Sequence, residues 1–292
     1  MRVFILRQAL VAIVIAIGFV ASAYQAPNAV GAPPWSIARV PGRQLAYLDS
    51  GGSGVPIVFL HAGSGSSGFW ESQIGPVRAA GYRFIAFDRV GSGRSTLDVG
   101  ADPGSAADDL QSLATFLTLE RFHLVGTAAG GIVSLDYAIS FPDRLRSLVL
   151  ANTVGGVQDP EYLALGRRLR PSPQFDALPT EFKELGPSYR ATNPEGTARW
   201  VALEHASHPA TPLASPQRNR NRMTFSLLET IRLPTLLLTG DADLYTPPAV
   251  LRMFAAKIPG AESRVIQEAG HSVYWEQAEE FNRVLLAFVA RH

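Results

Sequence analysis

The stretch that decides the fold is Phe122-His123-Leu124-Val125-Gly126-Thr127-Ala128-Ala129-Gly130-Gly131. An apolar run stops at a glycine, and a second glycine follows four residues later. That is the spacing of G-x-S-x-G, an elbow where a strand turns sharply into a helix and presents one side chain at the top of a sheet. Both glycines are in place, but the apex is Ala128 rather than serine. A methyl group cannot attack a carbonyl carbon. The chemistry therefore turns on what surrounds that apex.

Outward from the elbow, strand-like and helix-like segments alternate. Gln44–Leu48 alternates and ends in the turn Asp49-Ser50-Gly51-Gly52. Pro56–Leu60, Phe84–Phe87, Phe122–Val125, Leu145–Leu150 and Thr235–Leu238 are short apolar runs, as strands covered on both faces require. Ser263–Ile266 is a weaker strand. Helical patterns fall at 71–80, 105–118, 129–141, 248–257 and 277–290. The alternation predicts an α/β fold with a mostly parallel sheet flanked by helices. It breaks once. From 155 to 230 only short helical pieces appear (160–169, 179–185, 194–206, 222–230), which predicts an inserted helical cap, a common source of a substrate pocket. The core is then 38–154 plus 231–292.

With 292 residues, 47% of them apolar, the chain is long enough for one α/β domain carrying an insertion. A net charge of +1 without charge blocks gives no reason to expect a nucleic-acid partner. There is no cysteine, hence no disulfide and no thiolate metal site. Arg2 and Arg7 precede the apolar stretch Ala9–Val20, and Ala21-Ser22-Ala23 has a small-x-small cleavage pattern. Residues 1–23 thus read as a signal peptide or, if uncleaved, an N-terminal anchor. The apolar run is short of the roughly 18–20 residues that span a bilayer. Export to the periplasm or medium is expected, with membrane contact only if the segment is retained. Residues 24–37 read as a proline-rich linker.

Five local patterns, in order, resemble the α/β-hydrolase superfamily, in particular its cap-bearing esterases, lactonases and C–C hydrolases. They are Leu60-His61-Ala62-Gly63, Asp88–Ser95 (D-x-x-G-x-G-x-S), the elbow, Gly240–Pro248 around Asp243, and Gly270-His271 followed by Glu276 and Phe281-Asn282. The resemblance covers roughly 42–290. It implies the order nucleophile, acid, base as Ala128, Asp243, His271, departing from the family pattern at Ala128 and, less sharply, at Ala62. It also implies that His271 is the base and Asp243 its orienting acid, with Asp241 more suited to the turn. The oxyanion donors would be the backbone N–H of Ala129 and of Gly63 or Ala62.

The remaining residues are weighed individually. His61 suits a role in shaping its loop. Thr127 is a poor substitute nucleophile, because adjacent side chains in a tight elbow diverge and its χ1 is stiff. Glu204, His205 and His208 lack the H-E-x-x-H spacing and a third ligand, so no metal is expected, and no cofactor motif is present. Phe69 and Trp275 are expected in the substrate pocket, while Trp70 suits the core and Tyr162, Leu165, Phe182, Trp200 and Leu203 mainly cap packing. The leader ahead of the domain favours an alanine native to the protein over one introduced to trap substrate. The expected function is a hydrolase-type enzyme acting on a small, largely apolar ester, lactone or ketone. The alternatives are His/Asp base catalysis of lyase or cofactor-independent oxygenase type, and a ligand-binding pseudo-hydrolase. The expected partner is a small-molecule substrate. The sequence specifies no oligomeric state.

Overall fold

The computed structural model of the protein describes residues 33–153, 155–169, 173–209, 213 and 215–292. The leader expected at 1–23 and residues 24–32 of the expected linker lie outside these. The end of that linker is corrected: Trp35–Val40 forms strand β1, antiparallel to β2 (Arg43–Asp49). The cause is local. Pro41-Gly42 makes a tight turn with Gly42 at φ +78°, and this folds the preceding residues back onto β2, burying Ala38.

The other strands are β3 (Pro56–Leu60), β4 (Arg83–Phe87), β5 (Thr96–Leu97), β6 (Phe122–Thr127), β7 (Leu145–Ala151), β8 (Thr235–Gly240) and β9 (Glu262–Ile266). One sheet runs β1-β2-β4-β3-β6-β7-β8-β9, with β5 beside β2. Pairings from β4 through β9 are parallel, whereas those of β2 with β1, β4 and β5 are antiparallel. This is an α/β-hydrolase fold, an open and mostly parallel sheet with flanking helices.

Each central strand divides its side chains between two layers, as the two-residue repeat of a strand demands. Val58, Leu60, Leu124, Leu148 and Leu150 face one side. There they meet helices α2 (Ala106–Phe116) and α3 (Ala129–Ser140). Ile57, Phe59, Val125, Val149 and Ala151 face the other, packed with α1 (Glu71–Ala79) and the C-terminal helix. Both faces are apolar, which explains the unbroken apolar runs in the sequence.

Between β7 and β8 the described chain makes six helices and no strand. They are α4 (Pro160–Leu169), α5 (Pro173–Asp176), α6 (Thr180–Glu184), α7 (Pro187–Thr192), α8 (Pro194–Ser207) and α9 (Phe225–Leu228). After β8 come α10 (Pro248–Ala255), α11 (Val273–Glu276) and α12 (Ala278–Val289). The helix read at 222–230 shrinks to the four residues of α9, started by Thr224, whose hydroxyl accepts the N–H of Leu227.

The six-helix segment rests on loops at the carboxyl ends of the strands. Ser207 O accepts Gly93 N–H at 2.8 Å, and Ser207 Oγ donates to Ser66 Oγ at 2.8 Å. Glu184 O accepts His271 N–H at 2.8 Å. Trp200 of α8 is buried edge-on against Phe69, with ring centroids 5.6 Å apart.

Candidate active site

The elbow is tight because its glycines leave no room for a side chain. A Cβ on Gly126 would stand 2.5 Å from Gly130 O, one on Gly130 would stand 2.6 Å from His61 O, and one on Gly131 would stand 2.6 Å from Thr153 Cβ. Strand β6, the turn and α3 can therefore close together only with glycine at these positions. Ala128 sits at the apex with φ +48° and ψ −115°, a backbone conformation that costs an L-residue of order 1–3 kcal/mol. The chain holds that strain although the side chain is only a methyl. The backbone around Ala128 is secured by its N–H to Ala151 O at 3.0 Å and by Thr153 Oγ1, which donates to Ala128 O at 2.7 Å.

Asp243 and His271 come together from the loops after β8 and β9. His271 Nδ1 lies 2.9 Å from both Asp243 oxygens. Asp243 also accepts Asn152 Nδ2 at 2.9 Å, Thr239 Oγ1 at 3.0 Å, and the N–H groups of Tyr245 and Thr246 at 2.8 Å each. Asn152, which the sequence reading passed over, has a second bond to Gly270 O at 3.2 Å and so ties the acid loop to the histidine loop. Its signal was faint: a single polar residue just after an apolar strand. Asp241 does not reach the imidazole. Its carboxylate accepts Ala269 N–H at 3.2 Å and serves the turn.

The electrostatics follow from this packing. Burial opposes the Asp243 charge, but the His271 charge and the donors around the carboxylate prevail and hold its pKa down to about 2. Burial opposes the imidazolium as well, yet Asp243, Glu184 and Glu276 together push His271 up to about 9. With Nδ1 committed to Asp243, Nε2 is the ring nitrogen left for chemistry.

The loop after β3 lies against the start of α3. A Cβ on Gly63 would be 3.7 Å from Ala129 Cβ, which places Gly63 beside the first residue of that helix. Gly63 is exposed, Ala128 and Ala129 are half-buried, and Ala62 is buried. His61 fixes the loop. Its Nε2 accepts Arg89 N–H at 3.0 Å, which leaves Nδ1 to donate to Ala62 O at 2.7 Å. Burial and the Arg89 charge hold its pKa well below the usual histidine value, so one neutral tautomer satisfies both bonds. Asp88, fully buried, accepts the N–H and hydroxyl of Ser67 and the N–H of Arg94, joining the glycine-rich loop to the segment that follows Gly63.

Other residues singled out in the sequence lie elsewhere. Thr127 is fully buried, and its hydroxyl has no hydrogen-bond partner and does not reach His271. His208 Nε2 lies 2.9 Å from Glu204 Oε1 and His205 Nε2 lies 3.7 Å from Glu204 Oε2. Phe69 and Trp275 lie together near the start of α1 and the loop that carries His271. Their rings are tilted against each other with centroids 5.8 Å apart, and both are buried, with Phe69 also edge-on to Trp200.

The cavities beside the dyad have different linings. One of about 370 Å³ lies between α4, α5 and α10 and includes Val157, Tyr162, Leu165, Phe175, Leu244 and Tyr245. The Tyr245 ring is 4.6 Å from the His271 ring, so a single aromatic side chain connects cavity wall and imidazole. A second, of about 310 Å³, reaches Asp243 past Arg190 and Leu185. A larger one, about 690 Å³, lies at the amino ends of β6 and β8, around Arg121 and Arg232, and touches none of Ala128, Asp243 and His271.

The fold, the strained elbow and the Asp–His pair define a class: hydrolases built on an α/β sheet. A family model described as the alpha/beta hydrolase family matches residues 57–284, and the chain belongs to that family. It is 29% identical over 277 residues to a 2-hydroxy-6-oxononadienedioate/2-hydroxy-6-oxononatrienedioate hydrolase of Paraburkholderia xenovorans, a match covering 85% of this chain and 91% of that one. Among solved structures it resembles a thermophilic esterase from Thermogutta terrifontis, with TM-score 0.72, 26% identity, and 88% and 98% of the two chains covered. It also resembles Est816, described as an N-acyl homoserine lactone degrading enzyme, with TM-score 0.70, 29% identity, and 87% and 100% covered.

Proposed function

We propose that the protein is an exported enzyme that hydrolyses a small, largely apolar ester, lactone or ketone by general-base catalysis, without a covalent intermediate. The observation that carries this reading is the Asp243–His271 pair, fully assembled beside an elbow that keeps its strain but offers no hydroxyl. A bare scaffold would have no use for a buried carboxylate held by four donors beside an imidazole. A relative described as a 2-hydroxy-6-oxononadienedioate/2-hydroxy-6-oxononatrienedioate hydrolase and a neighbour described as degrading N-acyl homoserine lactones support the ketone and lactone members of the substrate class. The apolar lining of the cavity bounded by Tyr245 supports its largely apolar character.

For an ester, the step runs as follows. A water placed where a serine oxygen would stand gives a proton to His271 Nε2 while its oxygen bonds to the carbonyl carbon. The carbonyl π pair moves onto oxygen, where the N–H groups of Ala129 and of Gly63 or Ala62 receive it, helped by the amino end of α3. The carbon–oxygen bond to the leaving group then breaks, and the imidazolium returns its proton to the departing oxygen. Asp243 remains ionised throughout and balances the transient positive charge. Because only neutral imidazole accepts the proton, turnover should rise with pH towards about 9.

The decisive experiment is to screen short-chain esters, lactones and vinylogous ketones against the protein and against His271→Ala. Turnover that vanishes in the variant supports the reading, and turnover indifferent to His271, or none at any pH, overturns it. Direct proton abstraction from a substrate carbon is the second reading, favoured by the same lack of a hydroxyl. It would yield an elimination product that incorporates no solvent oxygen.

A further inference from the structure

The segment between β7 and β8 does more than cover the site. It is locked onto the loop that carries His271. Gly186 N–H donates to Glu276 Oε2 at 2.7 Å, while Glu276 also accepts the N–H groups of Gly270 at 3.0 Å and Ser272 at 3.1 Å. The two backbones touch there, since a Cβ on Gly186 would fall 2.8 Å from Gly270 N. Two residues earlier in the chain, Glu184 O accepts His271 N–H at 2.8 Å. This interlock fixes the position of Glu184, the last residue of α6, relative to the imidazole.

We propose that Glu184 is the third ionisable member of the site, a carboxylate delivered by the helical segment that, together with Asp243, stabilises the positive charge His271 gains when it takes a proton. The inference rests on the general-base reading above and adds a residue to it. Glu184 is partly buried, and among the described residues its carboxylate has no hydrogen bond and no ion pair. A carboxylate in that setting costs free energy unless a nearby charge offsets it. The charge acting most strongly in its favour is that of His271. Lys183 on its own helix also favours ionisation, whereas Asp243 and Glu204 of α8 oppose it, and burial exceeds them all and raises its pKa. In return, Glu184 is the next charge after Asp243 to favour the imidazolium, and it also acts on Tyr274 beyond the histidine loop. Glu184 is thus a positioning residue for charge: it acts through His271 and leaves the substrate to others.

The bookkeeping of protons is unchanged by this assignment. Water still loses its proton to Nε2 and the leaving group still receives it. Glu184 lowers the free energy of the state in between.

The test uses the full-length protein and needs no turnover. The His271 C2–H resonance, assigned by its loss in His271→Ala, is titrated by NMR in the protein, in Glu184→Gln and in Glu184→Asp. Removing the carboxyl group that Glu184 brings beside the imidazolium should lower the His271 pKa by about one unit. Glu184→Asp should fall between the two. Gly186→Ala, which pushes the segment off Gly270 while keeping the carboxylate, should lower it too. The acid limb of kcat/KM should move by the same amount. An unmoved His271 pKa in a folded Glu184→Gln overturns the inference, and so does a rise. If the pKa falls but no substrate turns over, the general-base reading fails and the assignment of Glu184 stands. If turnover requires His271 while its pKa ignores Glu184, the reverse holds.

Discussion

Ala128→Ser isolates the one part that the site lacks. The elbow already pays for the conformation a nucleophile needs, with φ +48° at residue 128, and serine adds only a hydroxyl to the methyl carbon. The base and its acid are in contact at 2.9 Å. Losing the nucleophile of a comparable triad costs about 10⁶ in turnover, or about 8 kcal/mol of barrier. Both rates are held down at neutral pH. With the His271 pKa pushed up to about 9, the imidazole is neutral in only about one molecule in a hundred at pH 7. Both proteins need the neutral imidazole, so each rate on short activated esters should rise about 100-fold from pH 7 to above pH 9, while the gain from the hydroxyl stays about 10⁶. The assay is release of p-nitrophenol from acetate and butyrate esters between pH 6 and pH 10, alongside labelling by a fluorophosphonate probe. The probe should mark the serine variant and leave the Ala128 protein untouched. A folded Ala128→Ser that neither gains activity nor takes the probe at any pH refutes the reasoning, because it would mean that Nε2 does not face the apex.

Two further outcomes follow from the same contacts. His271 has a raised folded pKa, so its pairing contributes stability that is complete below about pH 6.5 and is lost as pH rises through about 9, up to about 3 kcal/mol. Asp243, held down to about 2, contributes stability that is complete above about pH 4 and lost as pH falls toward 2. Asp243→Asn should flatten the alkaline loss in urea titrations, and an unchanged pH dependence would show that the pair does not carry it. At the elbow, Gly130→Ala forces a methyl to within 2.6 Å of His61 O and should destabilise by about 3 kcal/mol or more. Gly75→Ala, on α1 with open space around it, should be neutral or slightly stabilising in the same denaturation series. Equal effects of the two would contradict the close-packing account of the elbow.

Much of the fold was legible because it is written in short-range pattern. Apolar runs such as Pro56–Leu60 and Leu145–Ala151 mark strands covered on both faces, and helix-length segments between them imply parallel pairing. The elbow was legible from two glycines, whose lack of a side chain the close approach of β6 and α3 demands. Strand β1 was not, because only its pairing across the Pro41-Gly42 turn distinguishes it from the proline-rich residues before it. The surroundings of Phe69 and Trp275 were not legible for a related reason. An aromatic residue near a site reads the same whether it walls a pocket or packs in the core, and the ring that Phe69 meets edge-on, Trp200, comes from a helix about 130 residues away in the chain.

By itself the sequence determined the class of fold, the order Ala128, Asp243, His271, and the lack of a nucleophilic oxygen at the apex. These are facts of residue identity and local spacing, which need no third dimension. Only the tertiary structure decided that Asp243 rather than Asp241 meets the imidazole, that Asn152 braces the pair, and that Glu184 is brought beside His271. The reason is the range of the forces involved. Electrostatic and hydrogen-bonding partners are set by distances of a few ångströms between loops separated by tens of residues, and packing of the whole sheet and its helical insertion fixes those distances.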